Sequence, residues 1–96
     1  MKISKLIKNN SFALYGLGLT GNSVLKFLKK KNVNKIYTWD DKKNKKNKNK
    51  FNSFKKALDL VDYILVSPGI NIQKTKFRLK LFQNKKKIIT DLDLFY

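Results

Sequence analysis

The chain has 96 residues, 42% of them apolar, and 23 Lys+Arg against 6 Asp+Glu give it a formal charge of +17. This length allows one small domain with a thin core, burying about 60–65% of the surface its unfolded form exposes, and leaves no room for a second. Cys and His are absent, which removes disulfides, thiolate nucleophiles, Cys/His zinc sites and every mechanism that carries a proton on imidazole.

The first eight residues, Met-Lys-Ile-Ser-Lys-Leu-Ile-Lys, carry charges throughout and no small-residue cleavage site, so they do not read as a signal peptide. Ser11–Tyr15 is a short apolar run that stops at glycine, the pattern of a buried strand. Beyond the glycines, Val24, Leu25, Phe27 and Leu28 fall at helical spacing with lysines mostly opposite, and Asn32 offers a stop. Lys35–Trp39 is β-branched and aromatic and predicts a second strand, ended by Asp40 and Asp41. The tract 41–50 holds six Lys and one Asp and reads as a low-complexity loop. Phe51–Leu60 predicts a helix through Phe51, Phe54, Ala57 and Leu58. Asp62–Ser67 predicts a third strand closed by Pro68-Gly69, Thr75–Gln83 a third helix, Lys87–Thr90 a fourth strand, and Asp91–Tyr96 the start of a capped helix. No stretch approaches the roughly 18 consecutive apolar residues of a membrane span, so no membrane partner is expected and the cytoplasm is the expected compartment.

Alternating strands and helices imply right-handed crossovers, hence parallel strands with helices on both faces. The expected fold is α/β: a small Rossmann-like, doubly wound parallel sheet in a single domain over residues 1–96. A chain that stops inside a helix is read as the N-terminal piece of something longer.

Gly16-Leu17-Gly18-Leu19-Thr20-Gly21 fits G-x-G-x-x-G directly after a strand and at the opening of a helix, where the motif has mechanical meaning. Gly16 permits a tight turn, Gly18 lets backbone approach a phosphate, and Gly21 lets the helix pack closely. The helix N-terminus offers N–H groups and partial positive charge to an anion, and Thr20 adds a hydroxyl. Asp40, at the end of the second strand, stands where a Rossmann fold places an acid that accepts a nucleoside hydrogen bond. Ser67, Pro68 and Gly69 close the third strand at the same edge. The loop and the acid together indicate a nucleotide diphosphate and do not specify its base; a packing turn and a solvated turn aspartate are the alternatives.

All but one of the basic residues are Lys, Arg78 being the exception, and they accompany abundant Asn, Ile and Phe. Compositional bias supplies such a surface without selection for a ligand, and fixed-geometry readout of phosphate or base edges favours Arg. No specific nucleic-acid partner is therefore expected, although a small basic nucleic-acid-binding protein stands as a reading of the charge alone.

Four segments together, Gly16–Gly21, Asp40, Val66-Ser67-Pro68-Gly69-Ile70 and Thr90-Asp91-Leu92-Asp93-Leu94-Phe95, resemble in order and spacing the N-terminal domain of the Mur ligases. The similarity runs from about Phe12 to Phe95 and is greatest to the branch that adds D-glutamate to UDP-N-acetylmuramoyl-L-alanine in peptidoglycan precursor synthesis. The resemblance implies that this chain holds the UDP moiety: Leu19 and Thr20 at the diphosphate, Asp40, Asp41 and Lys42 at the uracil, Gly69 at the nucleotide from the third loop. Family members often carry a hydroxyl and an Arg where this chain has Asp41 and Lys42. It also implies ATP and Mg in the full-length parent, held by C-terminal ligase domains. No G-x-x-x-x-G-K-[ST] occurs here, so no cofactor, metal site or catalytic residue is expected in this chain. An NAD(P)-binding domain of a dehydrogenase or regulatory sensor satisfies the glycine loop and Asp40 equally but leaves the third and fourth segments unexplained.

Overall fold

The computed structural model describes residues 9–91 and 93. Strands β1 (Phe12–Tyr15), β2 (Ile36–Trp39), β3 (Tyr63–Val66) and β4 (Ile88–Ile89) form one sheet in the order β2-β1-β3-β4, with every pairing parallel. Helices α1 (Leu19–Lys30), α2 (Asp41–Asn44), α3 (Lys48–Leu60) and α4 (Arg78–Gln83) lie in the connections. The expected Rossmann-like α/β architecture is present.

β1 is the centre of the core, and its four residues are wholly buried because both faces of the sheet are covered. Phe12 and Leu14 join Val24 and Leu28 of α1, Val33 and Leu65 on one face. Ala13 and Tyr15 join Phe54 and Leu58 of α3, Phe77 and Leu81 on the other. A strand covered on both faces has no polar side to show, which is why it reads as a continuous apolar run. Tyr15 stands level with Trp39 and Val66, so three strands end together and the loops that follow them share one edge.

Helix termini explain the element boundaries. α1 ends in a Schellman motif: Val33 N–H donates to Leu28 C=O at 3.1 Å and Asn32 N–H to Lys29 C=O at 3.1 Å, with Asn32 at φ 63°. The tract 41–50 is not the loop its composition suggests. Asp40 accepts from the N–H groups of Lys42 and Lys43 and starts α2, while Asn47 accepts from Lys50 N–H and starts α3 three residues ahead of the predicted Phe51. Lysine is a good helix former, so two capping side chains suffice to convert a solvated tract into helix. The predicted helix 75–83 is shortened at its start to Arg78–Gln83. Ahead of it Asn71 caps a single 3₁₀ turn over Ile72–Lys74, Thr75 Oγ1 bonds the Tyr15 hydroxyl and accepts from Phe77 N–H, and α4 begins only at Arg78. The helix expected over 91–96 lies, apart from Asp91 and Asp93, outside the described residues; at its start Thr90 N–H donates to Asp93 Oδ2 at 2.8 Å.

Lys87 closes the far end of α3. Its ammonium donates to the carbonyls of Leu58, Asp59 and Val61 at 2.8, 3.1 and 3.0 Å, using all three protons at a helix end that carries partial negative charge. Lys87→Ala is expected to cost about 1–3 kcal/mol, read as a fall in Tm of several degrees in a thermal melt. Lys86→Ala, at an exposed neighbour, serves as the control and leaves Tm within error.

Candidate functional site

The glycine loop, the end of β2 and the loop after β3 converge at the carboxyl edge of the sheet. Gly16 sits at φ +92°, and a Cβ there would stand 2.7 Å from Ser67 Cβ, so the first and third loops touch only because residue 16 has no side chain. A Cβ on Gly21 would lie 2.1 Å from the Gly16 carbonyl oxygen. α1 therefore rests its first turn directly on the end of β1. Gly18 differs from both: at φ −69° with nothing within 4 Å of its missing Cβ, it is not required by packing and leaves open space before the helix.

The peptide between these glycines is clamped from two sides. Leu17 N–H donates to Asp40 Oδ2 at 3.0 Å, and Asn22 Nδ2 donates to Leu17 C=O at 2.7 Å. Gly18 caps α1 without a side-chain bond and the first turn carries no acid. The N–H groups of Leu19, Thr20 and Gly21 precede the first intrahelical bond, from Asn22 N–H to Gly18 C=O. Such a terminus presents donors and partial positive charge to an anion. Leu19 is 89% exposed beside it.

The two acids after β2 act mainly as struts. Asp40 Oδ1 accepts from Lys42 and Lys43 N–H at 2.9 and 3.2 Å while Oδ2 holds Leu17. The Leu17 bond lowers its pKa most; burial opposes it, and the bonds from Lys42 and Lys43 add to the lowering, leaving the carboxyl below its ordinary value. Asp41 accepts from Tyr15 Oη and Trp39 Nε1, both at 2.8 Å. Lys42 is exposed. Ser67 N–H donates to Tyr15 C=O at 2.9 Å and Ile70 N–H returns to Ser67 C=O at 3.0 Å, forming a turn whose tip, Pro68 and Gly69, is exposed. A Cβ on Gly69 would meet nothing within 4 Å. All eleven residues singled out from the sequence thus lie at one edge.

Tyr15, Thr75 and Asn22 complete the site and were not legible as members of it. The Tyr15 hydroxyl bridges Asp41 and Thr75 Oγ1, joining the β2 end to the segment before α4. Burial pushes its pKa up to about 12, with Asp41 adding to the rise and Thr75 opposing it. A cleft of about 270 Å³ opens alongside, walled by Trp39, Phe51 and Thr75 and rimmed by Lys45, Lys74 and Lys76. Among the described residues no cluster of three or more acidic, His or Cys side chains could hold a metal ion, and no helix is long and apolar enough to cross a membrane.

Residues 10–90 match the family model described as Mur ligase MurD-like, N-terminal domain. The chain is 38% identical over 95 residues to a protein of Francisella philomiragia subsp. philomiragia named UDP-N-acetylmuramoylalanine--D-glutamate ligase. That alignment covers 99% of this chain and 19% of the relative, so the chain spans about a fifth of the relative's length. No solved structure matches.

The glycines should separate in a urea titration. Gly21→Ala is expected to destabilise by at least about 2 kcal/mol because backbone must move, whereas Gly18→Ala stays within about 1 kcal/mol. Asp40 has its own signature in acid. Because its folded pKa is depressed, its contribution to stability is fully present above the unfolded carboxylate value of about 3.9 and is lost as pH falls through the folded value. Asp40→Asn should therefore flatten the acid limb of the stability curve, and an unchanged limb would show that the Leu17 clamp contributes nothing.

Proposed function

The chain belongs to the family of Mur ligase MurD-like N-terminal domains, and on that premise we propose that it holds the UDP end of UDP-N-acetylmuramoyl-L-alanine in a ligase that adds D-glutamate to that substrate. The observation that carries the proposal is the bare N-terminus of α1, open at Gly18 and held at the carboxyl edge by the Leu17 clamp. In this reading the diphosphate lies against the N–H groups of Leu19, Thr20 and Gly21, where helix-end charge favours it. Gly16 and Gly21 are needed to put the helix there, and Gly18 keeps the approach clear.

The uracil is assigned to the segment Asp40-Asp41-Lys42, with Ser67, Pro68 and Gly69 flanking the nucleotide from the third loop. Since both carboxylates already accept hydrogen bonds within the protein, the exposed Lys42 and the local peptide groups are the parts available to the base. The same fact weighs against a dinucleotide domain, in which the acid at the end of the second strand receives ribose hydroxyls. This chain's part is to bind and orient. ATP, Mg²⁺, the D-glutamate contacts and the activation of the substrate carboxyl as an acyl phosphate are assigned to the remainder of the parent enzyme, acting in the cytoplasm.

UDP-N-acetylmuramoyl-L-alanine, or UDP at higher concentration, is expected to raise the Tm of the chain by mass action, with about 2.7 kcal/mol gained at a hundredfold excess over Kd. NADH should give no shift. Gly18→Val should abolish the UDP shift while leaving the ligand-free Tm near that of the parent, because the site has room for a side chain and an ordinary φ. Stabilisation by NADH alone, or a UDP response untouched by Gly18→Val, would refute the assignment. The isolated chain should show no D-glutamate-dependent ATP turnover.

A further inference from the structure

Among the described residues β2 is the outermost strand of the sheet, paired with β1 on one side only. Its pairing dictates what the other side presents. Lys35 C=O accepts from Phe12 N–H at 2.9 Å and Trp39 C=O from Gly16 N–H at 2.7 Å. Since a parallel ladder uses alternate residues, Ile36 and Thr38 direct their own N–H and C=O groups away from β1. Edge strands are ordinarily blunted by proline, a bulge or an inward charge. Ile36-Tyr37-Thr38-Trp39 carries none of these within the strand, and three of its four residues are strong strand formers besides threonine.

Among the described residues nothing pairs with this edge, and it is grooved. A depression of about 540 Å³ runs between β2 and the start of α3, bounded by Ile36, Tyr37, Thr38, Asn47, Asn49 and Phe54. It shares Asn47 and Asn49 with a second depression ringed by Lys43, Lys46 and Lys48. No acid lines either one. None of these lysines belongs to the ion pair found among the described residues, Lys80–Asp59. The surface thus combines unpaired strand polarity with a continuous basic end.

We propose that the free edge of β2 takes an extended, acidic polypeptide segment as a fifth strand, with main-chain hydrogen bonds to Ile36 and Thr38 and acidic side chains over Lys43, Lys46 and Lys48. Charge selects this occupant. A second copy would bring the same lysines, within a chain of net charge +17, to the same edge. An acidic strand is attracted there and gains the backbone pairing of strand addition.

The test uses the whole chain and a synthetic peptide of alternating valine and threonine with a glutamate run at one end. The peptide is expected to bind at low salt, to weaken as salt rises, and to slow amide exchange at Ile36 and Thr38. Thr38→Pro removes an outward donor without touching the β1 ladder and should weaken binding about tenfold. A peptide N-methylated on alternate residues should lose as much against the unaltered chain, so the result does not depend on that variant folding. Lys43→Gln, Lys46→Gln and Lys48→Gln together should remove most of the salt dependence. Absence of peptide binding at low salt, equal binding by Thr38→Pro and by the N-methylated peptide, or protection of the edge by self-association of the chain would each overturn the proposal.

Discussion

The close seating of Gly21 on the Gly16 carbonyl sets the geometry on which the rest of this domain depends. A Cβ at residue 21 would stand 2.1 Å from that oxygen, a distance no side chain tolerates, so the first turn of α1 lies against the end of β1. The consequence is a helix N-terminus at the carboxyl edge, level with the ends of β2 and β3. Gly16, at φ +92° and against Ser67, makes the turn that allows this approach. Asp40 and Asn22 then hold the intervening Leu17 peptide by its N–H and its C=O. One short loop is thereby fixed from β1, β2, β3 and α1 at once, and a ligand meeting it finds donors that have little left to reorganise.

Acidic groups are scarce in a chain with 6 acids and 23 bases, and the described ones are concentrated at structural joints. Asp62 accepts from both the N–H and the hydroxyl of Ser11 and ties the start of β1 to β3. Asp59 receives Lys80 and Asn84 and ties α3 to α4. Asp40 and Asp41 brace the carboxyl edge of the sheet, the latter through Tyr15 and Trp39. Such bonds hold Asp40 and Asp59 below the usual carboxylate range, so both add stability near neutrality that acid withdraws, with Asp59 worth little because it is exposed. With the acids so placed, most lysines are left to water, and the surface charge becomes a property available to partners rather than a set of ion pairs.

The sheet and the glycine loop were legible because each depends on local pattern: apolar runs ended by turn residues, and glycines at 16 and 21 that turn geometry and close packing require. Gly18 was also legible, though its reason is different, since the fold leaves space at it where the other two glycines fill space. The tract 41–50 was misread because composition outweighed two capping side chains, Asp40 and Asn47. Thr75 was taken as a helix residue because its bond partner, Tyr15, lies 60 positions away and no periodicity connects them. Asp41 shows the same limit: the resemblance assigned it to a base, and nothing in the local sequence signalled that its carboxylate also accepts from the buried Tyr15 hydroxyl and Trp39 indole. Long-range polar bonds at the rim of a core leave no local signature.

The central claim is that the N-terminus of α1 is the anion seat. Amide chemical shifts of the isotopically labelled chain, followed while UDP is added at physiological salt, test it most directly. The account predicts a saturable response concentrated at Gly18, Leu19, Thr20 and Gly21, with smaller changes at Lys42 and Gly69. Shifts spread over the lysines of α2 and α3 that vanish as salt is raised, with residues 18–21 unmoved, would contradict it.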